Sequence, residues 1–374
     1  MRILHVHSGN LYGGVETILA ALARHQDLAP QMQPHFALCF EGRLFQELVG
    51  LGANVTQLGA LRVRHPVSVM NSRRVLRNLL DNGDFAVSIC HSGWSRAMFG
   101  PVLRSAGLPL VGWFHDANVK RNWLDRLSDR TPIDLAVCNS EFTANNLAKW
   151  FPHLHKEVVY CPVTNHRNGL DQDPQAIRRE FQTPLNAIVI VQASRMEQWK
   201  GHTLLLQALE TLKDVPNWIC WIIGGSQRPP ETEYLEKLKT LSDHLAISDR
   251  IRFLGQRSDV PMLLRAADIY CQPNLEAEPF GIALVEALYA RLPIVTSALG
   301  GACEIVNESC GIVVAPKDRI ALSSALRSLI LEQSLRAKLG AAGPQRAESL
   351  CGPAHQMNRI AEVLRSVARQ KLTV

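Results

Sequence analysis

Three carboxylates, Glu276, Glu278 and Glu286, surround Pro279-Phe280-Gly281 in the stretch EAEPFGIALVEA (276–287). Proline disfavours helical backbone at the residue before it, so Glu278 belongs to an extended loop. Gly281 permits a tight turn, and IALVEALYA then reads as a helix with Glu286 in its second turn. One acid precedes the helix, another rides on it, and the anion-friendly N-terminal end lies between them. The loop acid can accept hydrogen bonds from sugar hydroxyls and the helix acid from a ribose diol. A phosphate can take the N–H groups in between. That is the chemistry of a site for a nucleotide joined to a sugar.

Other loops carry compatible chemistry. In ASRMEQWKGH (193–202), Arg195 closes an apolar run and Lys200 stands just before a helical pattern, two cations suited to a pyrophosphate. In HSGNLYGGVE (7–16), Gly9, Gly13 and Gly14 follow a strand pattern and precede a helical one, so the backbone can approach an anion closely. The spacing is not G-x-G-x-x-G, and G-K-[ST] is absent, which disfavours nicotinamide-cofactor and P-loop readings. In GWFHDAN (112–118), His115 and Asp116 sit where a strand hands over to a loop, where an imidazole can donate to a substrate hydroxyl or stabilise charge. His91 is a weaker candidate of the same kind. Taken singly, each loop also admits a structural reading: a tight turn, a core histidine, two solvated cations. GWSRA (93–97) resembles a nucleophile elbow, but Ala97 replaces the final glycine and no triad order accompanies it. Ser95 is therefore read as a helix-start residue.

These loops need a scaffold. Short apolar strand patterns at 2–8, 35–40, 53–58, 85–91, 108–115, 134–139 and 157–162 alternate with helical ones, including 15–25, 95–106 and 140–151, the last capped by Ser140. A polar stretch, 163–184, reads as a linker plus a short helix. A second series follows, with strands at 187–194, 217–225, 250–255, 268–273, 293–297 and 311–316, and the tail from 318 is helical. Alternation of this kind implies a mainly parallel sheet covered on both faces. The 374 residues suit two domains. The expected fold class is α/β, two doubly wound Rossmann-like domains: residues 1–165, residues 166–352, and a C-terminal helix at 353–374 that packs back on the first domain. Ligands bind beyond the carboxyl ends of strands in such sheets, where the loops above stand.

Bulk properties narrow the partners. With 47% apolar and 20% charged residues, two full cores can be built, and no apolar run reaches the ~20 residues of a membrane span. The N-terminus lacks a signal-peptide pattern. Nine scattered cysteines without C-x-x-C, several inside strand-like runs, are expected to be reduced, buried thiols of a cytoplasmic protein. The net charge of +6 favours anionic partners in general. Part of it is local: residues 61–80 carry Arg62, Arg64, Arg73, Arg74 and Arg77 with no acid, and with Val63, Val67, Val69 and Met70 interspersed. That segment is either a solvated helix face or a contact with anionic membrane at its inner surface. No aromatic platform accompanies the arginines, so no nucleic acid is expected.

E-x7-E with EPFG, followed by PIVTSALGGACEIV, resembles the retaining family-4 glycosyltransferases (glycosyl transferases group 1) of the GT-B fold, in which two Rossmann-like domains face a cleft. GGVE near the start, the HD loop, SR…KG after the linker, and Gly300, Gly301 and Glu304 follow in the family's order. The resemblance implies transfer of a sugar from a nucleoside-diphosphate sugar, UDP- or GDP-type, to a hydroxyl of a saccharide or lipid-linked acceptor. Surface polysaccharide or glycolipid synthesis would be the setting. It assigns Gly13 and Gly14 to the donor phosphates and His115 to the donor sugar beside the reacting carbon. Arg195 and Lys200 would bind the diphosphate leaving group, and Glu278 the sugar hydroxyls. Phe280, Gly281 and Ile282 would offer backbone N–H groups, and Glu286 would hold the ribose. No metal or other cofactor is expected, the two cations doing a metal's electrostatic work. The family places glycine where Arg291 stands, so the turn there is expected to differ. A binding protein without transferase activity and a two-carboxylate glycoside hydrolase are the rival readings.

Overall fold

The computed structural model describes residues 1–9, 11–62, 65–116, 123–165 and 173–370. Asn10, Val63, Arg64, Ala117, Asn118 and linker positions 166–172 lie outside them. Two compact units form, Met1–Pro162 together with Cys351–Val374, and Val163–Leu350.

The first unit holds strands β1 (Arg2–His7), β2 (Gln33–Leu38), β3 (Asn54–Gln57), β4 (Val87–Cys90), β5 (Leu110–Phe114), β6 (Leu135–Cys138) and β7 (Lys156–Val158). Its helices are α1 (Gly14–Arg24), α2 (Arg43–Gly50), α3 (Pro66–Asp81), α4 (Gly93–Ser105), α5 (Trp123–Asp129) and α6 (Glu141–Trp150). All the strands pair in parallel, in the order β3-β2-β1-β4-β5-β6-β7. VSIC and LAVC, β4 and β6, are buried at every position, as a sheet covered on both faces requires. Ser140 caps α6 by accepting from the Thr143 N–H. The cap of α4 is Ser92, which accepts from the Ser95 N–H, so Ser95 lies inside the first turn and does not start the helix. Ser92 wins because its extended backbone lets its hydroxyl reach the third helical N–H.

The second unit holds β8 (Ile188–Ala193), β9 (Trp218–Ile223), β10 (Ile251–Gly255), β11 (Ile269–Gln272), β12 (Ile294–Ser297) and β13 (Gly311–Val314). They form a second all-parallel sheet ordered β10-β9-β8-β11-β12-β13. Its helices are α7 (Pro174–Glu180), α8 (His202–Glu210), α9 (Pro229–His244), α10 (Val260–Arg265), α11 (Ile282–Tyr289), α12 (Ala302–Ile305), α13 (Arg319–Leu331) and α14 (Gln333–Cys351). Trp218 and Trp221 are fully buried, and each indole N–H finds an oxygen, at Leu212 (2.9 Å) and Thr183 (3.0 Å). The last helix, α15 (Pro353–Gln370), belongs to the first unit, where Arg359 donates to Glu157 on β7 at 2.5 Å and Met357, Ile360 and Leu364 are buried. Eight cysteines are buried free thiols; Cys303 is exposed, against expectation, because it sits on the outer side of the short helix α12.

Both sheets reverse strand order beside their first strand, at β1/β4 and at β8/β11. The loops leaving adjacent strands part in opposite directions there, which opens a crevice at the carboxyl edge. The loops with chemistry emerge at these points: 194–201 after β8, 273–281 after β11, 8–13 after β1, and His91 after β4.

Arg291 ends α11 with φ +64, the left-handed turn that glycine favours. Arginine adopts here a conformation that glycine would take at lower cost. Replacing Arg291 by glycine is expected to raise stability by about 0.5–1 kcal/mol, because the relieved left-handed strain outweighs the added freedom of the unfolded chain. Urea unfolding at neutral pH checks this; an unchanged or lower midpoint would contradict it.

Candidate functional site

In the second unit the crevice is closed by one short contact. Lys200, in the turn before α8, donates to Glu278 Oε2 at 2.5 Å. Both residues are 9% exposed. The turn that presents Lys200 needs Gly201, whose φ is +77 and where an added Cβ would fall 1.9 Å from the Pro273 carbonyl oxygen. Glu278 is pinned from the other side. Its backbone bridges Gly300, its carbonyl accepts from the Gly301 N–H at 2.8 Å, and a Cβ on Gly300 would sit 2.2 Å from that carbonyl oxygen. Gln272 Nε2 and Asn274 Nδ2 each donate to the same Oε2 at 3.1 Å. All three donors thus converge on one oxygen. Among the described residues the other oxygen, Oε1, has no partner and is left to receive hydroxyl donors. The Lys200 ammonium lies 3.9 Å from the centre of the Trp199 ring, and two of its three N–H bonds have no acceptor among the described residues.

Arg195 is half-buried and pairs with Glu197 at 3.0 Å, and Glu197 also accepts from Arg228. Arg228 in turn holds Glu231, whose second oxygen accepts from the Gln227 N–H at 2.6 Å. Two arginines and two glutamates thus form one chain of ion pairs, in which Arg195 has Glu197 as its carboxylate partner and keeps guanidinium N–H groups beyond that contact. Phe280 is buried, while Gly281 and Ile282 keep some exposure at the start of α11, which has no side-chain cap. The first N–H groups of that helix have no acceptor within it. Glu286, one turn on, keeps some solvent contact yet is crowded by protein, and burial pushes its carboxyl up to about 7. No described residue gives it a hydrogen bond or an ion pair.

In the first unit, Glu16 of α1 reaches back to the Gly13 N–H at 2.8 Å and holds His7 Nε2 at 2.7 Å with its other oxygen. The Gly13 amide is thereby taken, and Gly14 opens the helix exposed, with no side-chain cap ahead of it. His115, at the end of β5, lies with Nε2 3.1 Å from Nδ1 of His91, whose Nε2 lies 2.9 Å from Nδ1 of His5. Burial holds His5 and His115 down to about 3 and His91 well below its usual range, so all three rings are neutral at physiological pH. Beside them, a pocket is lined by His115, Trp113, Asp116, Asp125, Arg96 and Trp150 among others. Ser95 is fully buried, sharing hydrogen bonds with the hydroxyls of Ser8 and Ser92, both at 2.9 Å, which leaves it no role as an exposed nucleophile.

Sequence reasoning singled out Lys200, Glu278, Arg195 and Glu286 but did not show that Lys200 and Glu278 bond directly. It missed Gln272 and Asn274, whose only signal was a polar QPN directly after an apolar strand. It also missed the His7–Glu16 pair, readable only as HVH at the end of one strand and a glutamate in the next helix. Among the described residues, no three His, Cys, Asp or Glu side chains group to hold a metal ion.

Two family models match most of the chain between them. The family described as Glycosyltransferase Family 4 matches residues 12–167, and that described as Glycosyl transferases group 1 matches 173–346. A phosphatidyl-myo-inositol mannosyltransferase of Mycobacterium leprae (strain TN) is 30% identical over 288 residues, covering 73% of this chain and 71% of the relative. A lipopolysaccharide core biosynthesis glycosyltransferase, LpsD of Rhizobium meliloti (strain 1021), is 33% identical over 173 residues, 46% of this chain and 48% of that one. Among solved structures, Anabaena HepE in complex with UDP and glucose superposes with a TM-score of 0.84 at 21% identity, covering 97% of this chain and 99% of that one, which speaks for the fold. Two parallel-sheet Rossmann-like units, the loops at their switch points and these matches together place the chain among the family-4 glycosyltransferases of the GT-B fold: it is a glycosyltransferase.

Proposed function

We propose that the enzyme moves a sugar from a nucleoside-diphosphate sugar to an acceptor hydroxyl with retention at the reacting carbon. The observation that carries the reading is the Lys200–Glu278 pair, in which one carboxylate oxygen is saturated and the other is left for hydroxyls, with lysine donors beside it. Glu286 waits one helix turn beyond Gly281 as an acceptor for the ribose diol. The start of α11 and the cations Arg195 and Lys200 meet the diphosphate. As the bond to the sugar breaks, negative charge grows on the departing diphosphate, and these donors gain strength with it. His115, neutral, offers a hydrogen bond to the donor sugar without adding charge to an oxocarbenium-like transition state. Gly14 and the start of α1 supply further backbone donors. The cations carry the electrostatic load, so transfer is proposed to be independent of metal. One solved structure of similar fold holds UDP-glucose and one relative is named GDP-mannose-dependent, so both bases stand as donors to test. Relatives named for phosphatidyl-inositol and lipopolysaccharide core chemistry favour a saccharide or lipid-linked acceptor, in glycolipid or surface polysaccharide synthesis at the cytoplasmic face.

The lipid-linked acceptor fits the exposed face of α3. Val67, Met70, Arg74 and Arg77 recur at three- and four-residue spacing and are exposed, whereas Leu76 faces the core and Arg73 is turned inward to the Met98 carbonyl. No described helix is long and apolar enough to cross a membrane. An exposed stripe of this composition suits the surface of anionic lipid.

Three outcomes test the reading. A thermal-shift panel of UDP, GDP, ADP and their sugar conjugates, with and without EDTA, should give a clear shift with one base and one sugar that EDTA leaves unchanged; no shift with any nucleotide would sink it. Lys200→Ala and Arg195→Ala should each lower turnover with that donor at least about tenfold, in keeping with ~2.7–4 kcal/mol for comparable electrostatic contacts.

The Glu286 carboxyl gives a pH signature. Its folded-state value is raised to about 7, so the folded protein resists ionisation and loses stability as pH climbs from the ordinary carboxylate range to 7. Glu286→Gln should therefore be more stable than the parent at pH 8, by about 1–3 kcal/mol, and no different near pH 4.5. Because hydroxyls bind the ionised form best, nucleotide affinity of the parent should rise between pH 6 and 8 and that of the glutamine variant should stay flat. Parallel pH profiles would remove Glu286 from the nucleotide site.

For the membrane, Arg74→Glu with Arg77→Glu should abolish co-sedimentation with phosphatidylglycerol vesicles while leaving transfer to a soluble acceptor intact. Unchanged vesicle binding would rule out α3 as the contact.

A further inference from the structure

Three imidazoles stand in a row across the first sheet. His5 comes from the middle of β1, His91 from just beyond β4 and His115 from the end of β5. Each joint is one nitrogen facing one nitrogen, at 2.9 Å between His5 Nδ1 and His91 Nε2 and at 3.1 Å between His91 Nδ1 and His115 Nε2. The rings are nearly parallel, at 21° and 18°, and the row is walled by Phe36 at one end and Trp113 beside the other. His5 and His91 are 3% and 1% exposed. At the far end, His115 Nδ1 is a buried atom with no partner, in a residue that lines the pocket of this unit.

A neutral imidazole carries one N–H. A row joined nitrogen to nitrogen can then be satisfied in only two ways. Either every ring carries its proton on Nδ1, each donating toward His115, or every ring carries it on Nε2, each donating back toward His5. A mixed row would set two donors or two lone pairs against each other. The state of the row therefore decides what His115 shows at its unpartnered Nδ1: a donor in the first pattern, an acceptor in the second.

We propose that His5, His91 and His115 act as one tautomeric unit and that His91 is a positioning residue that fixes the ring orientation and the Nδ1 protonation of His115. The unit suits a ligand hydroxyl, which can meet either pattern. The kinetic part rests on the reading above that His115 meets the donor sugar; the tautomeric part does not.

The substitutions separate the two. In the parent protein, nitrogen-15 NMR of the histidine rings should show all three on the same tautomer; a mixed assignment would overturn the unit. His91→Phe keeps a flat ring and removes both joints. It should lower turnover about tenfold or more with little change in donor KM, and should release His115 into a mixture of tautomers. His91→Asn places its amide near the lost Nδ1 and should restore much of the rate, whereas His91→Gln places it near Nε2 and should not. Should the phenylalanine variant fail to fold, the asparagine–glutamine contrast still decides. A His91→Phe or His91→Gln rate within twofold of the parent, in a protein whose His115→Ala variant is impaired, would overturn the positioning role. An unimpaired His115→Ala would instead remove His115 from the donor site, and the NMR result alone would then decide the unit.

Discussion

The Lys200–Glu278 pair is the contact on which the second unit's site depends. Both groups lie largely out of water, where a lone charge is expensive and a matched pair tolerable. Removing one partner of such a pair typically costs roughly 3–5 kcal/mol, because the other is left buried and unpaired. The surroundings show how the fold meets that demand. Gln272 and Asn274 add donors to the same oxygen, and Tyr270 holds Gln272 with its hydroxyl 2.8 Å from Oε1. The amide of Gln192, one strand over, donates to the Lys200 carbonyl at 2.8 Å. A polar layer thus runs through the carboxyl ends of β8 and β11, and it is there that strand order reverses.

The same layer explains why backbone geometry is so tightly held around it. Gly201 and Gly300 lie against the carbonyl oxygens of Pro273 and Glu278, with no room for a Cβ. Each lets one loop press on another closely enough to hold lysine and glutamate at hydrogen-bond distance. Glu286 contrasts with Glu278. Glu278 has its charge answered within the protein, whereas Glu286 has no described partner and is pushed toward its neutral form. One carboxylate is preorganised by the fold, and the other is completed only by what binds.

The first unit solves a different problem with neutral groups. His5, His91 and His115 are too deeply buried to carry charge, and their mutual hydrogen bonds spare them the cost of isolated buried polar atoms. His7 and Glu16, also buried, share a hydrogen bond at the end of β1, and Glu16 ties down the start of α1 through the Gly13 N–H. The second unit's site is thus organised by an ion pair, and the row in the first by hydrogen bonds between neutral rings.

Much of this was legible in the chain. Strand–helix alternation depends on local apolar patterning, so two doubly wound sheets could be read directly, with strand bounds missed by a residue or two, and by four at the end of β7, where pairing partners decide the ends. Pro279 and Gly281 announced that Glu278 stands off the helix, because they act on the backbone of their immediate neighbours. Arg291 shows the limit of such reading: an arginine gives no local sign of the left-handed backbone that it adopts just past α11. What the sequence could not show are the meetings of residues far apart along it. Lys200 and Glu278, or His5, His91 and His115, are brought together only when parallel strands set their carboxyl ends side by side. Which oxygen of Glu278 is saturated, and which nitrogen of His115 is left over, follow from side-chain distances. Those distances are a property of the packed sheet edge, set by strand register and close-packed glycines, and no local rule of sequence contains them.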